Sequence, residues 1–452
     1  MTETFLDSLR DELDADRLIT DPDILVTYAS DRADLVEGRP PLVVVRARSE
    51  NDVVATLRWA SARGIAVIPR GAGSGLSGGV APDRDAIVLS LEQMTALHID
   101  PVDRLAVAEP GVVNADVGRA AAVHGLFYPP DPGSFEISTI GGNVATNAGG
   151  LRCVRYGVTR QSVAGLRVVL ADGRVLTTGG RTIKDVAGYD LTGLIVGSEG
   201  TLGVVTQATL RLQAAPAPQR TVVGQFDDLA GVGRAVQSIA GSGIRPTILE
   251  LLDRMTINCV EDFRPAGLDR SCAALLIAQV DPGPGLAEGL VDLLESAGAS
   301  LALASDDAFE AEALIGTRRI AGEAVMARGP SIIEDVCVPV SRLAELLQRI
   351  QEASAEAGIA VATVGHAGDG NVHPILSLAS SDAEEIERAH VLARRIASIA
   401  VDLGGTITGE HGVGRLKREW LRNQLDPVSL DVHRAIKAAL DPAGILNPGT
   451  GF

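Results

Sequence analysis

Apolar positions at Phe5, Leu6, Leu9, Leu13 and Leu18 fall near helical spacing and predict an opening helix. The run LVVVRA at residues 42–47 has no alternation and reads as a buried strand. Ser49 stands where an N-cap belongs, and NDVVATLRWASARG after it predicts a helix that stops at Gly64. IAVIPR, residues 65–70, is the next strand, so the chain opens as a small strand–helix–strand unit. AIVLSL, LAVAEPG, LRVVLADG and GVVTQATLRL add strands separated by glycine-rich stretches. Pro and Ala cluster in QAAPAPQR at 213–220 and mark a domain boundary. Beyond it the strands AALLIAQV (273–280) and SIIEDVCVPV (331–340) alternate with the helices GPGLAEGLVDLLESAG and SRLAELLQRIQEASAEAG. That alternation predicts a second α/β or α+β domain, a sheet backed by helices. DPVSLDVHRAIKAALDP gives a last helix, with ILNPGTGF after it.

Composition narrows the function. The 452 residues carry 40 Lys and Arg against 58 Asp and Glu, a net charge of −18, which argues against nucleic acid or an anionic membrane as main partner. Cys153, Cys259, Cys272 and Cys337 show no CxxC spacing and read as reduced thiols, Cys337 as a core thiol, in a cytoplasmic protein. The start MTETFLDSLRDELDADRLI is acidic and amphipathic, unlike a signal peptide. The longest charge-free stretch, 137–151, is too short and polar to span a bilayer. Trp59 reads as core packing, and His98, His124, His390 and His433 have no motif around them.

Glycine is 50 of the 452 residues, and 13 of them lie in three loops. RGAGSGLSGG at 70–79 contains Gly73, Gly75 and Gly78 in GxGxxG spacing. No helix fits between this loop and the strand AIVLSL, which excludes the dinucleotide-binding version of the motif. A glycine loop between two strands can instead form an anion nest or be a plain surface loop. DPGSFEISTIGGNVATNAGG at 131–150 reads as a second, small-residue loop, and VGSEGTLG at 196–203 as a third. Three such loops suggest one large, flat, polar ligand whose approach needs bare backbone.

Three of the seven histidines sit in two glycine-flanked motifs. VGHAGDGNVHP puts His366 at the end of an apolar strand and His373 after a loop with Gly368 and Gly370. TGEHGVG adds Glu410 and His411. Two imidazoles and a carboxylate suit Zn²⁺, Mn²⁺ or Fe²⁺, and the bland alternative is a set of hydrogen-bonding histidines in tight turns.

Together, PRGAGSGLSGG, DPGS…IGGNVATNAGG, YG and VGSEGTLGVVT resemble the FAD-binding domain of the vanillyl-alcohol-oxidase/PCMH flavoprotein superfamily. From about residue 20 onward the chain resembles its D-lactate dehydrogenase, glycolate oxidase large-subunit and D-2-hydroxyglutarate dehydrogenase branch. The resemblance implies an α+β protein: a PCMH-type FAD-binding domain of two α/β subdomains over residues 1–215, an α+β substrate or cap domain with an antiparallel sheet over 216–405, and a segment 406–452 that carries GEHG and returns to the FAD domain. It implies FAD contacts from Pro69, Arg70, Gly71, Ala72, Gly73, Ser74, Gly75, Leu76, Ser77 and Gly78 in the first loop. The second loop supplies Asp131, Pro132, Ser134, Thr139, Ile140, Gly141, Gly142, Asn143, Ala145, Thr146, Asn147, Ala148 and Gly150. Gly157, Glu199, Gly200, Gly203, Val204 and Asn447 complete the set. No His lies between Arg70 and Gly79, so the FAD is expected to be non-covalent.

By the same resemblance His366, His373 and Glu410 hold a divalent metal, Zn²⁺ or Mn²⁺; His411 is the catalytic base, and Asn371 orients substrate or a ligand. Oxidising a 2-hydroxy acid suits these parts: a flavin takes the hydride, a metal acidifies the hydroxyl and a neutral His takes its proton. The substrate carboxylate calls for an arginine. Arg318 and Arg319 are the candidates, and a gapless match favours Arg318. The 2-hydroxyglutarate enzymes carry a Lys where this chain has Ile333, which argues against a second substrate carboxylate. Lys417 reads equally as a site cation or a surface residue. The expected reaction is oxidation of a D-2-hydroxy acid, D-lactate, glycolate or similar, to the 2-oxo acid. Electrons would pass to an external quinone, cytochrome, electron-transfer flavoprotein or oxygen rather than NAD. No Fe–S cysteine cluster stands on the chain. Attachment to the inner face of the membrane and a homodimer stay open. The rivals are an aldonolactone or aromatic-alcohol oxidase of the superfamily, a non-catalytic flavin subunit and a flavin-free metal hydrolase.

Overall fold

The computed structural model describes residues 3–33 and 36–451, with side chains from residue 7 onward. The chain forms two compact units, one of Met1–Gly149, Gly157–Ala215 and Glu410–Phe452, the other of Gly150–Tyr156 and Pro216–Gly409.

In the first unit the opening helix is Glu3–Arg10, shorter than its apolar spacing predicted. Leu9 and Leu13 are buried, but Leu18 lies in the short strand Leu18–Ile19, paired with Val45 and Val44. The aspartates at 11, 14 and 16 are weak helix formers and end the helix early. Phe5 and Leu6 have side chains outside the described residues. Helix Glu50–Ser61 starts at a capping box: Ser49 Oγ accepts from Asp52 N–H at 3.3 Å and Asp52 Oδ2 accepts from Ser49 N–H at 3.2 Å. It links strands Val43–Arg46 and Ala66–Arg70, which both pair in parallel with Ala86–Ser90. Helices cannot cover both faces of a strand unless its side chains are apolar on both, and these runs are nearly all buried.

The other half of the first unit is a five-stranded antiparallel sheet, ordered Leu97–Asp100, Leu105–Ala108, Val204–Arg211, Val163–Val169, Val175–Gly179. Helix Asn114–Ala122 and a short helix Ile140–Thr146 pack into its apolar cluster through Val117, Ala121, Ile140 and Val144. The second helix lies inside the stretch that reads as a loop. Thr139 caps it, Asn147 ends it in the left-handed region at φ 55°, and Gly141 is needed because a Cβ would come 2.6 Å from Pro110 Cβ. Close packing, not helix propensity, forms it.

In the second unit, seven strands run in one antiparallel path: Leu301–Ser305, Arg220–Phe226, Ala274–Val280, Ile248–Asp253, Ala360–His366, Asn371–Ser377, Ser331–Ile333. Val336–Cys337 also pairs with Asn371–Ser377. The predicted strand at 331–340 is thus broken at Glu334 and Asp335, because the buried Asp335 carboxylate turns toward donors the ladder does not supply. Ile248, Leu252, Ala362, Val364 and Ile375 share a core with Ile257 of helix Arg254–Phe263 and Ile315 and Ala321 of helix Ala308–Met326. Successive strand residues alternate faces, so Glu250, His366 and His373 lie on that same face. Among the described residues, no helix is long and apolar enough to cross a membrane.

Candidate active site

Register brings the second unit's candidate residues together. Glu250 is the direct cross-strand partner of His366, His366 pairs with Asn371, and Val364 pairs with His373. His366 and His373 are therefore diagonal neighbours across a hairpin, and their rings meet edge to face with centroids 5.2 Å apart. Gly370 at φ 80° closes the hairpin; a Cβ there would lie 2.1 Å from Val338 O.

Each imidazole is backed by a buried carboxylate that sequence reasoning missed. His366 Nδ1 lies 2.9 Å from both Oε1 and Oε2 of Glu250, which is fully buried. Facing a carboxylate, Nδ1 is the donor, and in the neutral ring this leaves Nε2 with the lone pair that a metal requires. Arg318 Nε approaches the same carboxylate at 2.6 Å, angled off the hydrogen-bond direction, so the contact is ionic. Arg318 is 7% exposed, whereas Arg319 faces solvent: one helical step separates the two fates of the doublet. His373 Nδ1 lies 3.5 Å from Asp335 Oδ1.

Asp335 gathers the neighbouring loops. It accepts from Asn371 Nδ2 at 2.7 Å, Thr408 Oγ1 at 2.6 Å and the Gly409 N–H at 2.8 Å. Asn371 Nδ2 also donates to Val336 O at 3.0 Å, so both its amide hydrogens are engaged. Thr406 and Cys337 exchange backbone bonds, which lays 406–409 alongside the broken strand. Glycine is required twice: a Cβ at Gly405 would fall 2.1 Å from Cys337 O, and one at Gly409 would fall 2.2 Å from Asn371 Nδ2. Cys337 is half-buried, its thiol 3.5 Å from Asp369 O, rather than in the core.

Glu410 and His411 follow Gly409 directly and belong to the first unit, with Glu410 Oε1 3.9 Å from His411 Nε2. There the GEHG segment meets the glycine loops. The Val413 and Gly414 N–H groups donate to the Glu199 carboxylate, each at 2.7 Å. Burial pushes that carboxyl above its usual range, and the two N–H bonds pull it back in part. Arg415 and Leu416 donate from their N–H to Ser77 O. Asn447, at φ 40°, donates from Nδ2 to Gly79 O at 2.8 Å and Glu199 O at 2.7 Å, stitching the C-terminal stretch across the first and third loops. Lys417 is buried with its Nζ 5.7 Å over the Trp420 ring.

The three loops form one wall of the first unit. Gly73 and Gly78 take positive φ, and a Cβ at Gly71 would lie 2.3 Å from Thr139 Oγ1, so the first loop packs bare backbone on the second. Residues 71–76 stay half-buried, as do Gly142, Ala145 and Thr146, which share one helix face at i, i+3 and i+4. A wall of small residues with partly exposed backbone fits a flat dinucleotide such as FAD. Several residues expected at FAD serve the wall itself. Asn143 accepts from Asn114 Nδ2 and donates to Ser138 Oγ, Asn147 Oδ1 accepts the Arg160 N–H, and a Cβ at Gly203 would fall 2.4 Å from Val168 Cγ1. Arg70 is buried, donating to Ser30 O with its guanidinium 5.4 Å over Tyr28.

Comparison with known proteins agrees with this architecture. Residues 41–179 match the FAD binding domain family, and residues 215–450 match the C-terminal domain of the FAD linked oxidases. The chain is 39% identical to glycolate oxidase subunit GlcD of Bacillus subtilis, covering 98% of this chain and 93% of that protein. It is 38% identical to a D-lactate dehydrogenase of Archaeoglobus fulgidus over 90% of each. In fold it is similar to p-cresol methylhydroxylase (TM-score 0.81, 17% identity, 99% of this chain and 97% of that one). A 4-ethylphenol oxidase from Gulosibacter chungangensis gives TM-score 0.80 at 18% identity, with the same coverage. With both halves of the chain matched and such relatives along nearly all of it, this protein belongs to the FAD-linked oxidase family and is an FAD-linked oxidoreductase.

Proposed function

We propose that this protein oxidises a short D-2-hydroxy acid, D-lactate, glycolate or a similar compound, to its 2-oxo acid. The observation that carries the reading is the His366–His373 pair, each imidazole backed by a buried carboxylate, in a chain similar to glycolate oxidase and D-lactate dehydrogenase. FAD, when bound, supplies the hydride acceptor. Its attachment is non-covalent, since the first loop has no histidine. A divalent metal, Zn²⁺ or Mn²⁺, held by His366, His373 and Glu410, would supply a Lewis acid for the substrate hydroxyl. The donor set fits: Glu250 fixes one His tautomer, and Gly409, held to Asp335, is one peptide bond from Glu410.

The chain's own groups do the rest. Arg318 grips the substrate carboxylate and so aims the C–H bond. His411 takes the hydroxyl proton at an imidazole nitrogen. Asn371 and Asp335 hold the loop that ends at Gly409. Electrons leave to an acceptor other than NAD.

The test is anaerobic mixing of the purified yellow protein with D- and L-2-hydroxy acids while flavin absorbance is followed. Bleaching by a D-2-hydroxy acid, lost on chelation and restored by Zn²⁺ or Mn²⁺, is the expected result. Failure of every 2-hydroxy acid overturns the substrate class; unchanged bleaching after complete metal removal overturns the metal.

A further inference from the structure

Glu250 sits mid-strand, wholly buried, in a layer otherwise filled by Ile248, Leu252 and Val364. Burying a carboxylate carries a desolvation penalty of several kcal/mol, and replacing a buried ion pair by apolar side chains is often neutral or stabilising. Stability alone therefore does not explain an acid here. Its oxygens face two groups from different elements, His366 Nδ1 at 2.9 Å and Arg318 Nε at 2.6 Å. Those are the two groups to which the proposed function gives separate tasks.

We propose that Glu250 is the positioning residue that couples metal affinity to substrate-carboxylate recognition; the proposal rests on the function proposed above. Through His366 it holds the proton on Nδ1 and presents Nε2 as the ligand atom. Through Arg318 it engages the Nε side of the guanidinium and turns the Nη edge toward a carboxylate, the geometry a bidentate grip needs. One negative charge thus orders two side chains that lie 48 residues apart along the chain, on the strand Ala360–His366 and the helix Ala308–Met326.

The test uses the FAD-loaded full chain and two binding constants measured without turnover. Zn²⁺ affinity is read by competition with a chelating dye, and pyruvate affinity by perturbation of the flavin spectrum. Glu250→Gln is expected to weaken Zn²⁺ binding by roughly 10–100-fold and pyruvate binding by about tenfold, the loss of one well-made charged contact. Glu250→Asp keeps the charge with a shorter reach and gives smaller losses in both; it decides the matter if the Gln variant does not fold. Glu261→Gln is the control, a buried carboxylate of the same unit that accepts the Ala266 and Leu268 N–H groups. It lowers stability and leaves both constants within about twofold of wild type, a change too small to count as a lost contact. Glu250 variants that match wild type in both constants, or a control that moves as far as they do, overturn the proposal. If wild type binds pyruvate but no metal, the metal reading falls and the pyruvate constant alone decides. If wild type binds neither, the proposed function and this proposal fall together.

Discussion

Asp335→Asn removes one charge and almost no volume, yet the donors around Asp335 leave no comfortable orientation for an amide. Oδ1 accepts from Asn371, and Oδ2 accepts from Thr408 and from the Gly409 backbone. Turned one way, the new NH₂ confronts Asn371; turned the other, it confronts the Gly409 N–H. The Thr408 hydroxyl can rotate to accept, but an amide N–H cannot. One buried donor is left unsatisfied in either case, costing ~1–3 kcal/mol, and the surviving bonds lose their charge assistance. For a unit in the 150–250-residue class this lowers the melting temperature by roughly 2–12 °C. Differential scanning calorimetry of the FAD-loaded protein measures it. Because Gly409 is loosened and Glu410 comes next, Zn²⁺ or Mn²⁺ held as proposed above should fall as well. A variant that melts with wild type and keeps its metal would refute the reasoning that Asp335 anchors this loop.

Three further outcomes are expected. His411→Ala should slow flavin reduction by ~10²–10⁴-fold with FAD retained, read by stopped flow; an unchanged rate removes it as the base. Asn447→Ala strips two loop carbonyls of their donor and should weaken FAD binding by about tenfold or more in a fluorescence titration, whereas equal retention shows the stitch to be dispensable. Asp253, buried at the cap of helix Arg254–Phe263, has its carboxyl pushed up to about 6 by burial, partly offset by the Thr256 and Thr363 N–H bonds. A raised folded-state value means that stability is greatest below the unfolded value and is lost as pH rises through the folded one. The stability of wild type relative to Asp253→Asn should therefore fall by ~3 kcal/mol between about pH 4 and 7; a difference independent of pH contradicts this.

Much of the first unit was legible locally. Ser49 and Asp52 write the capping box within four residues, and continuous apolar runs mark the parallel strands. The helix Ile140–Thr146 was not legible, because glycine, alanine and threonine signal a loop until Pro110 and Asn114 are in place against them. The broken strand at Glu334 and Asp335 escaped for a similar reason: two acids in an apolar run look like edge residues until one finds three donors on two segments distant in sequence.

The sequence by itself determined the element types along most of the chain, the glycine loops and the motif set that carries membership of the FAD-linked oxidases. These are local properties, written in spacing and small residues. Only the tertiary structure decided which carboxylates matter. Glu250 has no motif around it, and it meets His366 from 116 residues away through sheet register. Local spacing does not separate Arg318 from Arg319; the family match favours Arg318, and the helix turns that one inward and the other out. Register and burial are set by the packing of whole elements, and no local spacing encodes the partner that such packing delivers.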